Sequence, residues 1–207
     1  MTKKILNERT TITHEEINLL PLGAFDGPVA VISDPQRLPD AFEEIRTHTH
    51  VGFDTETKPV FVKGRTNKVA ILQIALPEKV FLIRLKSTGI TPEVASFFED
   101  THVHKIGVAI RDDIKALQLL RKFKPGGFVE LTTLTRSVGL EVESVKKLAG
   151  LLLGFRISKS AQTSNWEADR LDDKQVSYAA TDAWVCLQVY RRIMDIHARQ
   201  VSAHRQP

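Results

Sequence analysis

Three apolar runs follow one another between Val51 and Leu85 with only turn residues between them, and no other feature restricts the fold of this chain as much. The first is Val51-Gly52-Phe53-Asp54-Thr55-Glu56-Thr57, the second Val69-Ala70-Ile71-Leu72-Gln73-Ile74-Ala75-Leu76, the third Val80-Phe81-Leu82-Ile83-Arg84-Leu85. Each has the length and apolar continuity of a buried strand and is bounded by turn residues such as Pro59 or Pro77-Glu78-Lys79. Parallel neighbours need a long crossover, so three successive strands without a helix predict an antiparallel meander.

The flanking sequence alternates strand and helix. Val29-Ala30-Val31-Ile32 reads as a strand, and Ser33-Asp34-Pro35 caps a helix with Leu38, Phe42 and Ile45 on one face. Thr91-Pro92-Glu93 opens another helix, Val103 to Val108 gives a strand, and helical periodicity resumes from Arg111 to Leu120. Such alternation predicts parallel pairing. Gly126 to Leu131 supplies one more short strand, and the remainder is predicted mostly helical. Asp172-Asp173-Lys174-Gln175 has the form of a capping box, opening a long helix with Tyr178, Asp182, Val185, Val189 and Ile193 near one face. The fold class is α/β, a central mixed sheet flanked by helices.

A chain of 207 residues, 42% hydrophobic, has room for one sizeable core. Residues 1–27 are polar and are expected to form an arm that docks on it. No run is apolar enough for a membrane span or a signal peptide, so an intracellular, cytoplasmic location without membrane association is expected. Cys186 is the one cysteine, which rules out an internal disulfide and a thiolate metal site; its apolar neighbours mark a buried helical thiol. A net charge of +4 favours a polyanionic partner.

The chemistry concentrates at the end of the first run. Residues i and i+2 of a strand share a face, so Asp54 and Glu56 stand about 7 Å apart at the backbone with their acid groups able to converge. Hard oxygen ligands suit Mg²⁺ or Mn²⁺ better than zinc. An isolated Asp-x-Glu is ordinarily a polar strand end, and only partners elsewhere in the chain change that. Tyr178 and Asp182, one helical turn apart, are such partners, although each alone would read as a core aromatic or a buried paired acid.

Taken together, Phe53-Asp54-Thr55-Glu56-Thr57, Lys105-Ile106-Gly107 with Asp113 and Leu117, and Tyr178-Ala179-Ala180-Thr181-Asp182-Ala183 resemble the three motifs of the DEDD superfamily of 3′-5′ exonucleases. The tyrosine points to its DEDDy branch, the group of ribonuclease D and the Werner syndrome protein exonuclease domain. Lys159-Ser160-x-Gln162-x-Ser164-Asn165-Trp166 also resembles the segment preceding the third motif there. The resemblance implies a ribonuclease-H-like sheet, an exonuclease domain at 28–198 between the arm and a tail at 199–207, and two divalent ions. It gives Asp54 the bridging position, Glu56 and Asp182 the ion that activates water, and Asp113 the other; Asp112, its neighbour, is expected at the helix cap. Tyr178, with an ordinary pKa near 10, would orient the attacking water.

The implied function is release of nucleoside 5′-monophosphates from nucleic-acid 3′ ends, with DNA expected ahead of RNA. A ribonuclease D-like RNA-processing enzyme and a non-catalytic nucleic-acid-binding module are the alternatives. A helicase or repair protein in trans is the protein partner to test for. Thr57, Lys63, Arg65 and Trp166 are the substrate-binding candidates: the basic loop could hold a phosphate backbone or be a solvated hairpin tip, and Trp166 could stack on a base or pack internally. His48-Thr49-His50 and His102-Val103-His104 read as polar strand positions in preference to metal ligands, and Arg121-Lys122-Phe123-Lys124 as a basic helix end. No phosphate-binding glycine loop or repeat is present.

Overall fold

The computed structural model describes residues 9–60 and 67–204. Lys63 and Arg65 lie outside that set. The chain opens with α1 (His14–Leu19), closed at its start by a reciprocal Thr13–Glu16 capping box, and β1 (Leu22–Gly23). Then come β2 (Val29–Ile32), α2 (Leu38–Arg46), β3 (His50–Thr57), β4 (Val69–Ala75) and β5 (Val80–Arg84). Two helices, α3 (Leu85–Thr88) and α4 (Pro92–Glu99), lead to β6 (His104–Gly107), α5 (Ile110–Leu120) and β7 (Phe128–Glu130). The last part holds α6 (Leu131–Ser137), α7 (Val145–Leu148), a π-helical turn at Ala149–Leu153, β8 (Arg156–Ile157) and α8 (Asp173–His204). Among the described residues no helix is long and apolar enough to cross a membrane.

Six strands form one mixed sheet in the order β2-β5-β4-β3-β6-β7. The meander is as predicted, β3 antiparallel to β4 and β4 to β5, while β2, β6 and β7 add in parallel. All residues of β4 and β5 are buried because both faces of the sheet are covered. On one face Phe53, Leu72, Ile74, Phe81 and Ile83 pack with Phe42 of α2, Phe97 and Phe98 of α4 and Leu117 of α5. The other carries Ile71, Ala75 and Leu82 against Ala179, Ala180 and Ala183 of α8. Small residues on α8 meet Gly52 on β3, where an added Cβ would lie 1.9 Å from the Ala183 carbonyl oxygen. Helix and strand are therefore as close as backbone sterics permit.

The stretch after β7 is less helical than its sequence predicts. Residues 158–172 are mainly turns, held from outside: buried Arg84 donates to the carbonyls of Ala168 and Asp169, and Gln175 Nε2 to that of Asn165 at 3.2 Å. Residues 9–27 lie against the same region. β1 pairs in parallel with β8, Ile17 approaches Gly150, and the Phe25 amide donates to Thr181 Oγ1 at 3.0 Å.

Candidate active site

Strand alternation sends Gly52, Asp54 and Glu56 toward α8 and Phe53 and Thr55 to the opposite face. The Gly52–Ala183 contact fixes α8 right beside Asp182, with Tyr178 one turn before that acid, and both side chains turn to the same edge as the two strand acids. The helix starts where the sequence predicts, with Gln175 N donating to Asp172 Oδ1 at 2.8 Å and Gln175 Oε1 accepting from Asp172 N at 3.0 Å. A second tight approach brings α5: a Cβ on Gly107 would lie 2.7 Å from the Phe53 carbonyl oxygen. The chain then turns through Ala109 in the left-handed region, φ 59°, and enters α5 with Asp113 in its first turn.

Asp112 does not cap that helix. It is exposed and accepts from Lys115 at 2.8 Å, which holds its carboxyl below the ordinary range. The cap comes from β7 instead, where Glu130 accepts from the Ala109 and Ile110 amides at 3.2 and 3.1 Å. Asp113 accepts from the Thr55 hydroxyl at 2.5 Å, so it leans toward the side of β3 turned away from α8.

The electrostatics follow from like charges sharing a poorly solvated cleft. Asp54 is raised well above its ordinary value by burial, then by Asp182, Asp113 and Glu56. Glu56 is pushed up to about 8, by burial first and Asp182 next. Asp182 rises to about 6 through burial, opposed by its hydrogen bond from Tyr178 and by Lys146; Asp113 rises through burial, opposed by Thr55. Tyr178 moves far above the ordinary phenol range through burial and the adjoining carboxylates, and so keeps its proton.

Can this arrangement hold a cation? Among the described residues no three His, Cys, Asp or Glu side chains close on one point as a ready cage. The Asp113–Thr55 bond and mutual repulsion both oppose such closure. The donor set is nonetheless four hard carboxylates, and Asp182 Oδ1 is buried without a hydrogen-bond partner. A buried, unpaired carboxylate oxygen among three further acids fits a divalent cation of the Mg²⁺ type.

Thr57 is exposed at the end of β3, beyond an irregularity in register at Glu56–Thr57. Trp166 is not a surface for stacking bases. It is 1% exposed, and its ring sits 6.0 Å from that of Tyr178, so it backs the tyrosine from inside the protein. Gln73 is a site residue that its sequence position did not reveal. It faces Asp54 in register on β4, is fully buried, leaves both amide atoms without a well-formed hydrogen bond, and lies near Glu56. The signal was one amide inside an otherwise apolar strand, a position that normally demands a partner.

A family model described as 3′-5′ exonuclease matches residues 29–197, spanning every element that builds this cleft. The chain belongs to that family. Mouse "Bifunctional 3′-5′ exonuclease/ATP-dependent helicase WRN" is 34% identical over 151 residues, 69% of this exonuclease and 11% of the relative. A mimivirus "Putative 3′-5′ exonuclease R431", from Acanthamoeba polyphaga mimivirus, is 25% identical over 93% of the chain and 50% of the relative, so this exonuclease spans half or less of either one. Among solved structures, the Aedes aegypti Nibbler EXO domain is similar with a TM-score of 0.72 at 26% identity, covering 83% of this chain and 89% of that one. The sheet and its helices are ribonuclease-H-like.

Proposed function

We propose that this exonuclease removes nucleotides one at a time from the 3′ end of a nucleic-acid strand and leaves a 5′-phosphate on each product. Asp54, Glu56, Asp113 and Asp182 would hold two Mg²⁺ or Mn²⁺ ions. The observation that carries this reading is the buried carboxylate set itself, each member raised by burial and largely uncompensated by the protein. When bound, such ions activate a water and stabilise the departing 3′-oxygen.

The residues have separable tasks. Asp54 and Glu56, fixed on a strand, define one wall; Asp182, fixed on α8, defines the other. The proton that Glu56 retains at neutral pH has to leave before its oxygens can act as ligands, so ion uptake releases protons. Tyr178 holds its own proton on the phenol oxygen and directs it at Asp182, which makes it a group that orients a neighbouring oxygen and does not accept a proton. Trp166 and the Ala179–Ala180–Ala183 packing keep that phenol in place.

The test is a time course on 5′-labelled single-stranded DNA, recessed-end duplex DNA and RNA, with Mg²⁺ or Mn²⁺ and an Asp54→Ala control. A ladder that needs the ion and disappears in the control is expected, and the preferred polymer selects between DNA-directed and RNA-processing roles. Binding without a ladder on any substrate would reject hydrolysis and leave a nucleic-acid-binding module.

A further inference from the structure

A cavity of about 340 Å³ lies between α1 and the segment around α7 and β8, beside the carboxylate cleft and separate from it. Its walls include His14 and Asn18 from the first, and Ser144, Lys146, Arg156 and Lys159 from the second. Three cations line it and no carboxylate does. None of the three forms an ion pair among the described residues. Arg156 commits only Nε, to the Leu20 carbonyl at 3.1 Å, and Lys146 donates to Gln162 Oε1 at 3.0 Å, leaving further N–H groups of each unused.

Lys146 has the acids of the neighbouring cleft to balance it, whereas Arg156 and Lys159 face no carboxylate in this cavity, so a bound anion would relieve the repulsion among the three. Size narrows the choice: the volume is at the low end of small-ligand sites, roughly room for one phosphate and its sugar. Position narrows it further. Lys146 lies close enough to the cleft to act electrostatically on Asp182 and Glu56. Lys146 therefore links the cavity to the acids at which the last phosphodiester of a bound strand would lie.

We propose that this cavity is a second phosphate site, in which Lys146, Arg156 and Lys159 take a backbone phosphate of the nucleic-acid strand whose 3′ end lies at Asp54 and Glu56. The inference rests on the exonuclease reading for the polymer, and on the cavity for the residues. It also gives the docked arm a task, because α1 closes the cavity on one side.

The same chemistry could serve a released nucleoside 5′-monophosphate, and the experiment separates the two sources. Anisotropy of a labelled single-stranded oligonucleotide would be measured in Ca²⁺ for the wild type, Lys146→Met/Lys159→Ala and Lys159→Arg, with nucleoside 5′-monophosphate as competitor and thermal melting as a check on folding. The double variant should bind the oligonucleotide about tenfold more weakly, and its log K against log[salt] slope should flatten by about 0.7 for each phosphate no longer neutralised. Lys159→Arg should stay near wild type. A loss confined to the mononucleotide would overturn the backbone assignment, and unchanged binding of both would overturn the site. Unchanged binding alongside a wild-type cleavage ladder would leave the exonuclease reading standing, whereas a missing wild-type ladder would sink that reading alone.

Discussion

β3 and α8 run together along much of their length, and their two shared ends are built on opposite principles. At the start of β3, His50 stacks between His104, 5.0 Å away across the parallel pair with β6, and Tyr190 of α8, 4.9 Å away. Its Nδ1 meets the Thr49 hydroxyl at 2.9 Å. Burial, then His104 and Arg191, lower its pKa and favour a neutral ring. At the far end the same strand and helix gather Asp54, Glu56 and Asp182, with an orphaned oxygen and raised pKa values. One end is satisfied by its own neighbours; the other is left needing charge from outside. Unsatisfied groups concentrated at one end of an otherwise consistent packing mark where the fold gives up stability for chemistry.

Breaking the acidic end should produce the largest effects. Asp54→Ala or Asp182→Ala should lower turnover by at least about a thousandfold in a ladder assay. Thermal melting in chelator should show the variant as stable as the parent or more so, because a repelling buried acid has gone. A variant with full turnover would remove that acid from the site.

The two ends also predict opposite pH dependence. Glu56 moves from 4.5 to about 8 and Asp182 from 3.8 to about 6 on folding. A carboxyl with a raised folded pKa binds more protons folded than unfolded, so stability falls as pH rises from about 4 to about 8. In chelator that loss should be on the order of a few kcal/mol, and Mg²⁺ or Mn²⁺ should restore it by binding the folded state alone. Flat stability across that range without ions would mean the acids are better solvated than their packing indicates.

Tyr178→Phe keeps the ring against Trp166 and removes only the hydroxyl. Turnover should fall about 10- to 100-fold with Mn²⁺ affinity by calorimetry close to wild type. Loss of the ion instead would assign the phenol to holding Asp182. Gln73→Leu removes one buried amide whose two polar atoms lack a well-formed hydrogen bond and should raise stability by about 1–3 kcal/mol. The same change should lower turnover about tenfold if the amide orients Glu56, an effect of the size seen when support behind ligands is lost. Unchanged turnover would make Gln73 a packing residue.

The contrast was half legible in the sequence. Local patterns carried the meander, the helix start at Asp172 and the facing of Asp54 and Glu56, because period-two alternation and capping depend on neighbouring residues alone. Asp113 was separable from Asp112 by spacing, but the cap that frees it comes from Glu130, distant in sequence. Trp166 was left open between stacking and internal packing for the same kind of reason: the turns around it owe their shape to Arg84 and Gln175, which nothing local announces. The two-residue β1–β8 pair is too short for any periodicity to show. Gln73 and the three cations of the second cavity become meaningful only through what lies opposite them.

The satisfied end supplies the smallest and most discriminating test. His50→Phe keeps an aromatic ring between His104 and Tyr190 and removes the titrating nitrogen. Turnover should not change, and stability at pH 8 should stay within about 0.5 kcal/mol of wild type. A histidine whose folded pKa is lowered binds fewer protons folded than unfolded, so its contribution is intact above the unfolded value of 6.5 and lost as pH falls through the window below it. The variant should therefore gain on wild type only on the acid side, measured as a smaller drop in melting temperature between pH 7 and pH 5. That sign is the reverse of the carboxylate end's. If His50→Phe instead slowed cleavage while melting normally, the stacked rings would be coupled to the acids through β3 and α8, and the division of labour along this strand would be wrong.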